Sequence, residues 1–200
     1  DFRCPENPIE IIEYPEIHGN GHALDKSLAF DSSQLPGDFL DKNYDQVLFM
    51  DRNSKVGKLV IVDLRNGKPY SYIEISELGN KHDLIPISSL LEKGDLQFAG
   101  DFMGLGYSQV LFMNYNNSKE DDPRIVIADL SQSPPSTCYI EMKSEKSIFG
   151  GWYAQLVGDF LNLGYSQVLF INPIRKGGKI LIADFGEGKK HASNKFLELW

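Results

Sequence analysis

The chain has 200 residues, of which 42% are hydrophobic and 12% aromatic, a composition typical of a folded globular protein and not of a disordered segment. Its formal net charge of -8 at pH 7 argues against nucleic acids and acidic membranes as partners, because both require a basic surface. No apolar run approaches the roughly 18 residues that span a bilayer, so no membrane insertion is expected.

The first predicted element is a half-exposed strand at 9–14, which alternates apolar and charged residues after an irregular lead-in. Segments with the same pattern return at 71–75, 138–142 and 195–200. The chain therefore contains four copies of a polar strand, which we call the outer strand.

A longer pattern occurs three times, at 37–51, 100–114 and 158–172. In each copy Gly-Asp-Phe opens the pattern, a Tyr follows six residues after the Asp, and Gln-Val-Leu-Phe comes next. The copies begin about 60 residues apart, which is the spacing of a supersecondary unit and predicts a repeat fold.

Each repeat contains three further predicted strands, named inner, second and third. The inner strands lie at 33–35, 96–99 and 154–157, the second strands at 46–50, 109–113 and 167–171, and the third strands at 59–64, 124–130 and 179–185. The second and third strands are apolar at nearly every position, so both of their faces must be covered and the sheets should stack on one another. The connector between the first two repeats has a predicted helical turn after Pro86.

Repeated four-stranded antiparallel meanders with buried faces predict an all-β fold, a β-propeller. We assign residues 1–14 to the lead-in and the outer strand of a preceding blade, and 15–77, 78–144 and 145–200 to three full blades. Three blades are fewer than the four to eight that close a ring. Two explanations stay open: the chain, which begins at Asp1, is part of a longer propeller, or two copies form a homodimer with six blades.

The Gly-Asp-Phe opening, its short loop and the Val-Leu strand resemble the FG-GAP/VCBS class of propeller repeats, and Gly150-Gly151-Trp152 is similar to the start of a blade in a mushroom lectin of that class. The resemblance covers roughly residues 23–200. Members include integrin alpha-chain heads and bacterial secreted and toxin proteins. The resemblance implies a secreted or extracellular recognition protein that is not an enzyme.

The resemblance also implies a calcium loop, with oxygen ligands at the first Asp and two, four and eight residues later. Asp38, Asp101 and Asp159 match the first ligand, but apolar residues or Lys42 occupy the next two positions and Gln occupies the last. Ca²⁺ prefers six to eight hard oxygen ligands, so we predict no metal and no cofactor here. The alternative roles for the three Asp residues are catalytic carboxylates or, as we favour, structural acceptors of backbone N–H bonds in a turn.

Four aromatic residues are candidate ligand-binding groups: Tyr44, Tyr107, Tyr165 and Trp152. The three tyrosines recur at the loop tips and could stack on sugar rings or contact a partner, or each ring could pack against the adjacent blade. A Gln stands three residues before each Gly-Asp pair, at Gln34, Gln97 and Gln155. We expect these side chains to line a central channel or to contact a ligand there.

Other polar residues give weaker signals. His18 and His22 have a metal-like spacing, but the glycines between them favour a solvated turn. Cys4 and Cys138 are free thiols or a single bridge, and Asn116-Asn117-Ser118 is a glycosylation sequon.

No nucleophile elbow, phosphate loop or Cys–His pair is present in the sequence, so no catalytic residue is predicted. We expect a recognition module that binds a protein or a carbohydrate through rim loops and blade junctions. The alternatives are a structural propeller that docks other domains of a larger secreted or toxin-like assembly and, least favoured, a hydrolase.

Overall fold

The structure is a computed structural model. It describes residues 33–52, 57–63, 65, 71–79, 84–91, 96–113, 124–133, 135–141, 154–172, 179–186 and 195–199. This part of the chain is all-β, as predicted, and forms three four-stranded antiparallel sheets and one two-stranded sheet. The described residues include no helix with the length and apolar character that crossing a membrane requires.

The three large sheets are meanders in which neighbouring strands in the sequence pair with each other. Sheet 1 consists of β1 (Ser33–Gly37), β2 (Gln46–Asp51), β3 (Lys58–Asp63) and β4 (Ser71–Ile75). Sheet 2 consists of β7 (Leu96–Gly100), β8 (Gln109–Met113), β9 (Arg124–Asp129) and β10 (Ser136–Glu141). Sheet 3 consists of β11 (Ala154–Gly158), β12 (Gln167–Asn172), β13 (Lys179–Asp184) and β14 (Lys195–Leu199).

The same register recurs in each sheet. Gly37 pairs with Gln46, Gly100 with Gln109, and Gly158 with Gln167. The inner hairpin therefore closes at the same point three times. Because a one-residue slip would turn every side chain to the other face, the shared register gives the three sheets equivalent faces.

The third strands end earlier than predicted, and each ends on an aspartate. Asp63, Asp129 and Asp184 use a carboxylate oxygen to accept the backbone N–H two residues further on, at 3.0 Å in each case. This local turn competes with the ladder and leaves Leu130 and Phe185, which the sequence placed in the strands, just beyond them.

The sheets stack and share two apolar cores. The core between sheets 1 and 2 includes Leu48, Met50 and Leu59 on one side and Val110 and Phe112 on the other. The core between sheets 2 and 3 includes Leu111, Ile125, Val168 and Phe170. The inner strands are neighbours, with β7 in contact with both β1 and β11. In the described part of the chain the three sheets form no closed ring.

The connector between sheets 1 and 2 extends the first core. It contains β5 (Glu77–Leu78), β6 (Ile85–Pro86) and a 3-10 helix at Ile87–Leu90, which is the helical turn expected after Pro86. Leu78 and Ile87 are fully buried in the core, and the Gly79 N–H donates to the Pro135 carbonyl at 3.1 Å. The described part of this connector therefore fastens the two sheets together.

Candidate functional site

Three equivalent loops join the inner strand of each sheet to the second strand. We call them GDF loop 1 (38–45), GDF loop 2 (101–108) and GDF loop 3 (159–166). Each bends through a left-handed backbone at the third and the fifth residue after its Asp, with φ between 51° and 86°. Glycine, asparagine and aspartate tolerate this conformation best, and they alone fill these positions: Asp41 and Asn43, Gly104 and Gly106, Asn162 and Gly164.

The first Asp of each loop holds this bend with both carboxylate oxygens. Asp38 accepts the N–H groups of Lys42 at 2.8 Å and Asn43 at 2.7 Å. Asp101 and Asp159 accept the N–H groups at the same offsets, at 2.8 to 2.9 Å. The two N–H bonds from Leu163 and Gly164 lower the pKa of the Asp159 carboxyl. Each carboxylate thus binds the backbone of its own loop.

The Gln that begins each second strand closes the other side of the loop. Gln46, Gln109 and Gln167 are buried. Their Oε1 atoms accept a backbone N–H near the start of the loop, from Leu40, Met103 and Leu161 at 3.1 Å. Their Nε2 groups donate to the carbonyl of the loop tyrosine, at 2.6 Å for Gln109 and Gln167. The buried amide therefore satisfies two partly buried backbone groups that a strand alone would leave unpaired.

Each loop tyrosine is half-buried and hydrogen-bonded to the aspartate that ends the third strand. The hydroxyls of Tyr44, Tyr107 and Tyr165 donate to Asp63 at 2.6 Å, Asp129 at 3.0 Å and Asp184 at 3.0 Å. Sequence reasoning missed these three aspartates. The signal was present, since an Asp stands at the end of each apolar third strand.

The first tyrosine–aspartate pair has the most strongly charged surroundings. The hydrogen bond from Tyr44 lowers the pKa of Asp63, and the same bond raises the pKa of Tyr44. Lys42 Nζ lies 3.4 Å from the same Asp63 oxygen, and the Arg65 guanidinium lies 4.3 Å from the centre of the Tyr44 ring. For Tyr107, burial is the main cause that raises the pKa.

These contacts do not suit a calcium ion. Backbone N–H groups point at both oxygens of each first Asp, and the positive ends of those dipoles would repel a cation. The position eight residues later is an amide whose oxygen already accepts a backbone N–H. Among the described residues, no group of three or more His, Cys, Asp or Glu side chains is arranged to hold a metal.

Neighbouring GDF loops are joined by backbone hydrogen bonds. The Ser108 N–H donates to the Asp38 carbonyl at 2.8 Å, and the Ser166 N–H donates to the Asp101 carbonyl at 2.7 Å. The Tyr165 ring lies beside Gly104 of the preceding loop, where an added Cβ would be 3.6 Å from the ring. The three loops therefore form one continuous row at one edge of the stacked sheets.

The tips of this row differ in chemistry. The fourth residue after the Asp is Lys42 in loop 1, Leu105 in loop 2 and Leu163 in loop 3. Leu105 and Leu163 are 46% and 48% exposed, although their own N–H groups are held by Asp101 and Asp159. We call residues 41–43, 104–106 and 162–164 the loop tips. They present a charged end followed by two exposed leucines.

The inner-strand glutamines are not equivalent. Gln34 is exposed and Gln155 is half-buried, whereas Gln97 Oε1 accepts a hydrogen bond from Arg52 at 2.6 Å. Arg52 Nε and Gln97 Nε2 are buried without a hydrogen-bond partner. The Gln97 contact links sheet 2 to the end of β2.

Several candidates from the sequence lie outside the described residues, namely Trp152, His18, His22, Cys4 and the sequon at 116–118. Cys138 lies on β10.

Comparison of the chain with protein-family models, curated proteins and solved structures found no match.

Proposed function

We propose that this chain is a recognition module without catalytic activity and that it binds a protein partner through the loop tips. The observation that carries the proposal is the exposure of Leu105 and Leu163 at equivalent positions in adjacent loops. Apolar groups that cluster on a surface are typical of protein interaction sites. Lys42, in the neighbouring loop, adds a charged group at one end of the row.

The rigidity of the loops supports this proposal. The backbone of each tip is held by two bonds to its Asp, and the adjacent Gln holds the backbone on either side of the tip, so the loop conformation is already fixed before a partner arrives. Binding through a preorganised surface costs less conformational entropy than binding through a loop that must first be ordered. This is the arrangement that recognition loops on a stacked β scaffold require.

The occupied polar groups argue against the other functions. Sugar stacking needs an open aromatic face with free polar groups around it, whereas each loop tyrosine is half-buried and its hydroxyl binds an aspartate. A hydrolase needs a carboxylate that is free to exchange protons. The first Asp of each loop and the Asp that ends each third strand all accept structural hydrogen bonds, so we favour a protein ligand over a carbohydrate and binding over catalysis.

The fold supports a propeller as the scaffold. Three meander sheets in one register, two shared cores and neighbouring inner strands are the features of consecutive propeller blades. The Gly-Asp-Phe frame is similar to FG-GAP/VCBS repeats, with the Asp and Gln bonds in place of the calcium ligands. A structural propeller that docks other domains is the alternative, and it assigns no role to the exposed tips.

A peptide display library selected on the immobilised protein tests the proposal. We expect apolar or aromatic peptides to be selected, and the double variant L105S/L163S to weaken their binding at least about tenfold in calorimetry. The matched control is I73S/L84S, which replaces two apolar residues that are 44% and 49% exposed away from the tips. Binding that is lost in the control and kept in the tip variant would contradict the proposal. Competable binding on a glycan array that survives L105S/L163S would also contradict it.

A further inference from the structure

The two internal interfaces between sheets are built from the same parts. In each, a serine of the following loop donates its N–H to the Asp carbonyl of the preceding loop. Its side chain covers the preceding Gly so closely that a Cβ on Gly37 or Gly100 would lie 2.8 Å from the serine Oγ. The Phe of the preceding loop is fully buried in both cases, as Phe39 and Phe102. We call the side that supplies Gly and Phe the trailing face and the side that supplies Ser the leading face.

Sheet 3 has a trailing face whose inner part is uncovered. Phe160 is 40% exposed, although Phe39 and Phe102 at the same position are fully buried. Leu156 is 52% exposed and Ile180 is 37% exposed, whereas Leu59 and Ile125, the counterparts of Ile180, are fully buried. The three atoms nearest to a Cβ on Gly158 would all belong to the Phe160 ring of the same loop. Further out on this face Ile182 is already buried.

Sheet 1 has a leading face whose inner part is less buried than the same part of sheets 2 and 3. Pro36 is exposed, whereas its counterpart Val157 packs into the second core. Val47 and Phe49 are half-buried, although their counterparts in the other two sheets are fully buried: Val110, Val168, Phe112 and Phe170. Asp45, at the position of Ser108 and Ser166, is exposed. Further out on this face Val60 and Val62 are already buried.

These two surfaces correspond to the two sides of the internal interfaces and lie at opposite ends of the same stack. We propose that a second copy of this chain docks head to tail, with the inner leading face of sheet 1 on the inner trailing face of sheet 3. In this interface the Asp45 N–H donates to the Asp159 carbonyl, the Asp45 side chain covers Gly158, and Pro36 packs where Val157 packs against Gly100. This repeats the register of both internal interfaces.

Each chain carries one surface of each kind, so two copies can satisfy all four surfaces if the rotation closes, and a longer chain of copies forms if it does not. Electrostatics make the pairing weaker than the internal interfaces. Asp45 replaces a serine next to Asp159, and each chain carries a formal charge of -8 at pH 7. The dissociation constant should therefore fall as salt is added.

Sedimentation and light scattering across a wide range of concentration test this proposal. We expect a reversible species with at least twice the 22.5 kDa mass of the chain. L156E on the trailing face and P36E on the leading face should each raise the dissociation constant at least about tenfold. L84E is the matched control, because Leu84 is 49% exposed, close to the 52% of Leu156, and lies in the connector between sheets 1 and 2, outside both faces.

Two further measurements distinguish head-to-tail docking from other association. L156E keeps an intact leading face and P36E an intact trailing face, so their mixture should form a heterodimer at concentrations at which each alone is monomeric. D45S restores the serine of the internal interfaces and should lower the dissociation constant at least about threefold. The proposal is overturned by a monomer at every concentration, which would leave these faces to a further repeat of a longer polypeptide. It is equally overturned if L84E weakens association as much as L156E does, if the mixture stays monomeric, or if D45S does not strengthen association.

Discussion

Sheets 2 and 3 have nearly the same local structure, but the phenylalanine of the GDF loop is buried in sheet 2 and partly exposed in sheet 3. Their GDF loops share the Asp, Tyr and Gln bonds with almost identical distances. Yet Phe102 is buried and meets Phe185 edge-on at 6.3 Å between ring centres, while Phe160 is partly exposed. The loop conformation is therefore a local property of each repeat, whereas the burial of its phenylalanine is a property of the stack.

The largest expected effect is a difference between the two phenylalanines. F102A removes a fully buried ring from the second core and should lower the free energy of unfolding by about 3 to 5 kcal/mol. F160A removes a ring that already contacts water and should cost less than half as much. Denaturant unfolding of both variants, at concentrations at which the protein is monomeric, checks this comparison. Equal costs would mean that sheet 3 is covered as fully as sheet 2.

Substitution of the buried glutamine should destabilise sheet 2 and sheet 3 equally. Gln109 and Gln167 are both buried and both bond within their own repeat, so Q109L and Q167L should destabilise alike. Each leaves a partly buried N–H and a partly buried carbonyl unpaired, for an expected loss of about 2 to 4 kcal/mol. The control Q34L alters an exposed glutamine on β1 and should change stability by less than about 0.5 kcal/mol. A much larger loss for Q109L than for Q167L would show that the loops depend on the stack after all.

Substitution of the glycine that precedes each loop should again affect the two sheets differently, and the difference in stability should be smaller than for the phenylalanines. An alanine at position 100 would place its Cβ 2.8 Å from Ser166 Oγ and 3.0 Å from the Val157 side chain, so G100A should cost about 1 to 3 kcal/mol through overpacking. The same change at position 158 places the Cβ nearest to the rim of the Phe160 ring, at 3.2 Å, and that partly exposed ring can move. Thermal unfolding of the monomeric G158A variant should therefore match the unmodified protein. A clear loss of stability in that variant would show a neighbour over Gly158 within the chain.

The sequence predicted what is local and repeated in this fold. Apolar β-branched runs located all the second and third strands, and the spacing of the Gly-Asp-Phe motif predicted equivalent sheets. The tyrosine partners Asp63, Asp129 and Asp184 were not identified, because an Asp at the end of a strand looks like any turn residue until strand pairing brings it to the GDF loop of its own sheet. The exposure of Phe160 could not be predicted, because its motif is the same as that of Phe102 and only the stack distinguishes them.

The smallest and most specific effect concerns the first loop, where Tyr44 and Asp63 shift each other's pKa. The pKa of Asp63 lies below its ordinary value of 3.8, so the stabilisation from this bond is present above that pH and is lost as the pH falls through the lowered value. The pKa of Tyr44 lies above its ordinary value of 10.0, so the stabilisation is complete below that pH and is lost as the pH rises through the raised value.

The difference in melting temperature between the protein and Y44F should therefore be largest between these two pH limits and should shrink at both ends. Y107F is the comparison variant, because burial is the main cause of the raised Tyr107 pKa. Removal of the Tyr107 hydroxyl should leave unchanged the loss of stability that occurs at acid pH when Asp63 is protonated. A difference between Y44F and the unmodified protein that stays constant from acid to alkaline pH would mean that the hydroxyl stabilises the loop without binding the ionised Asp63.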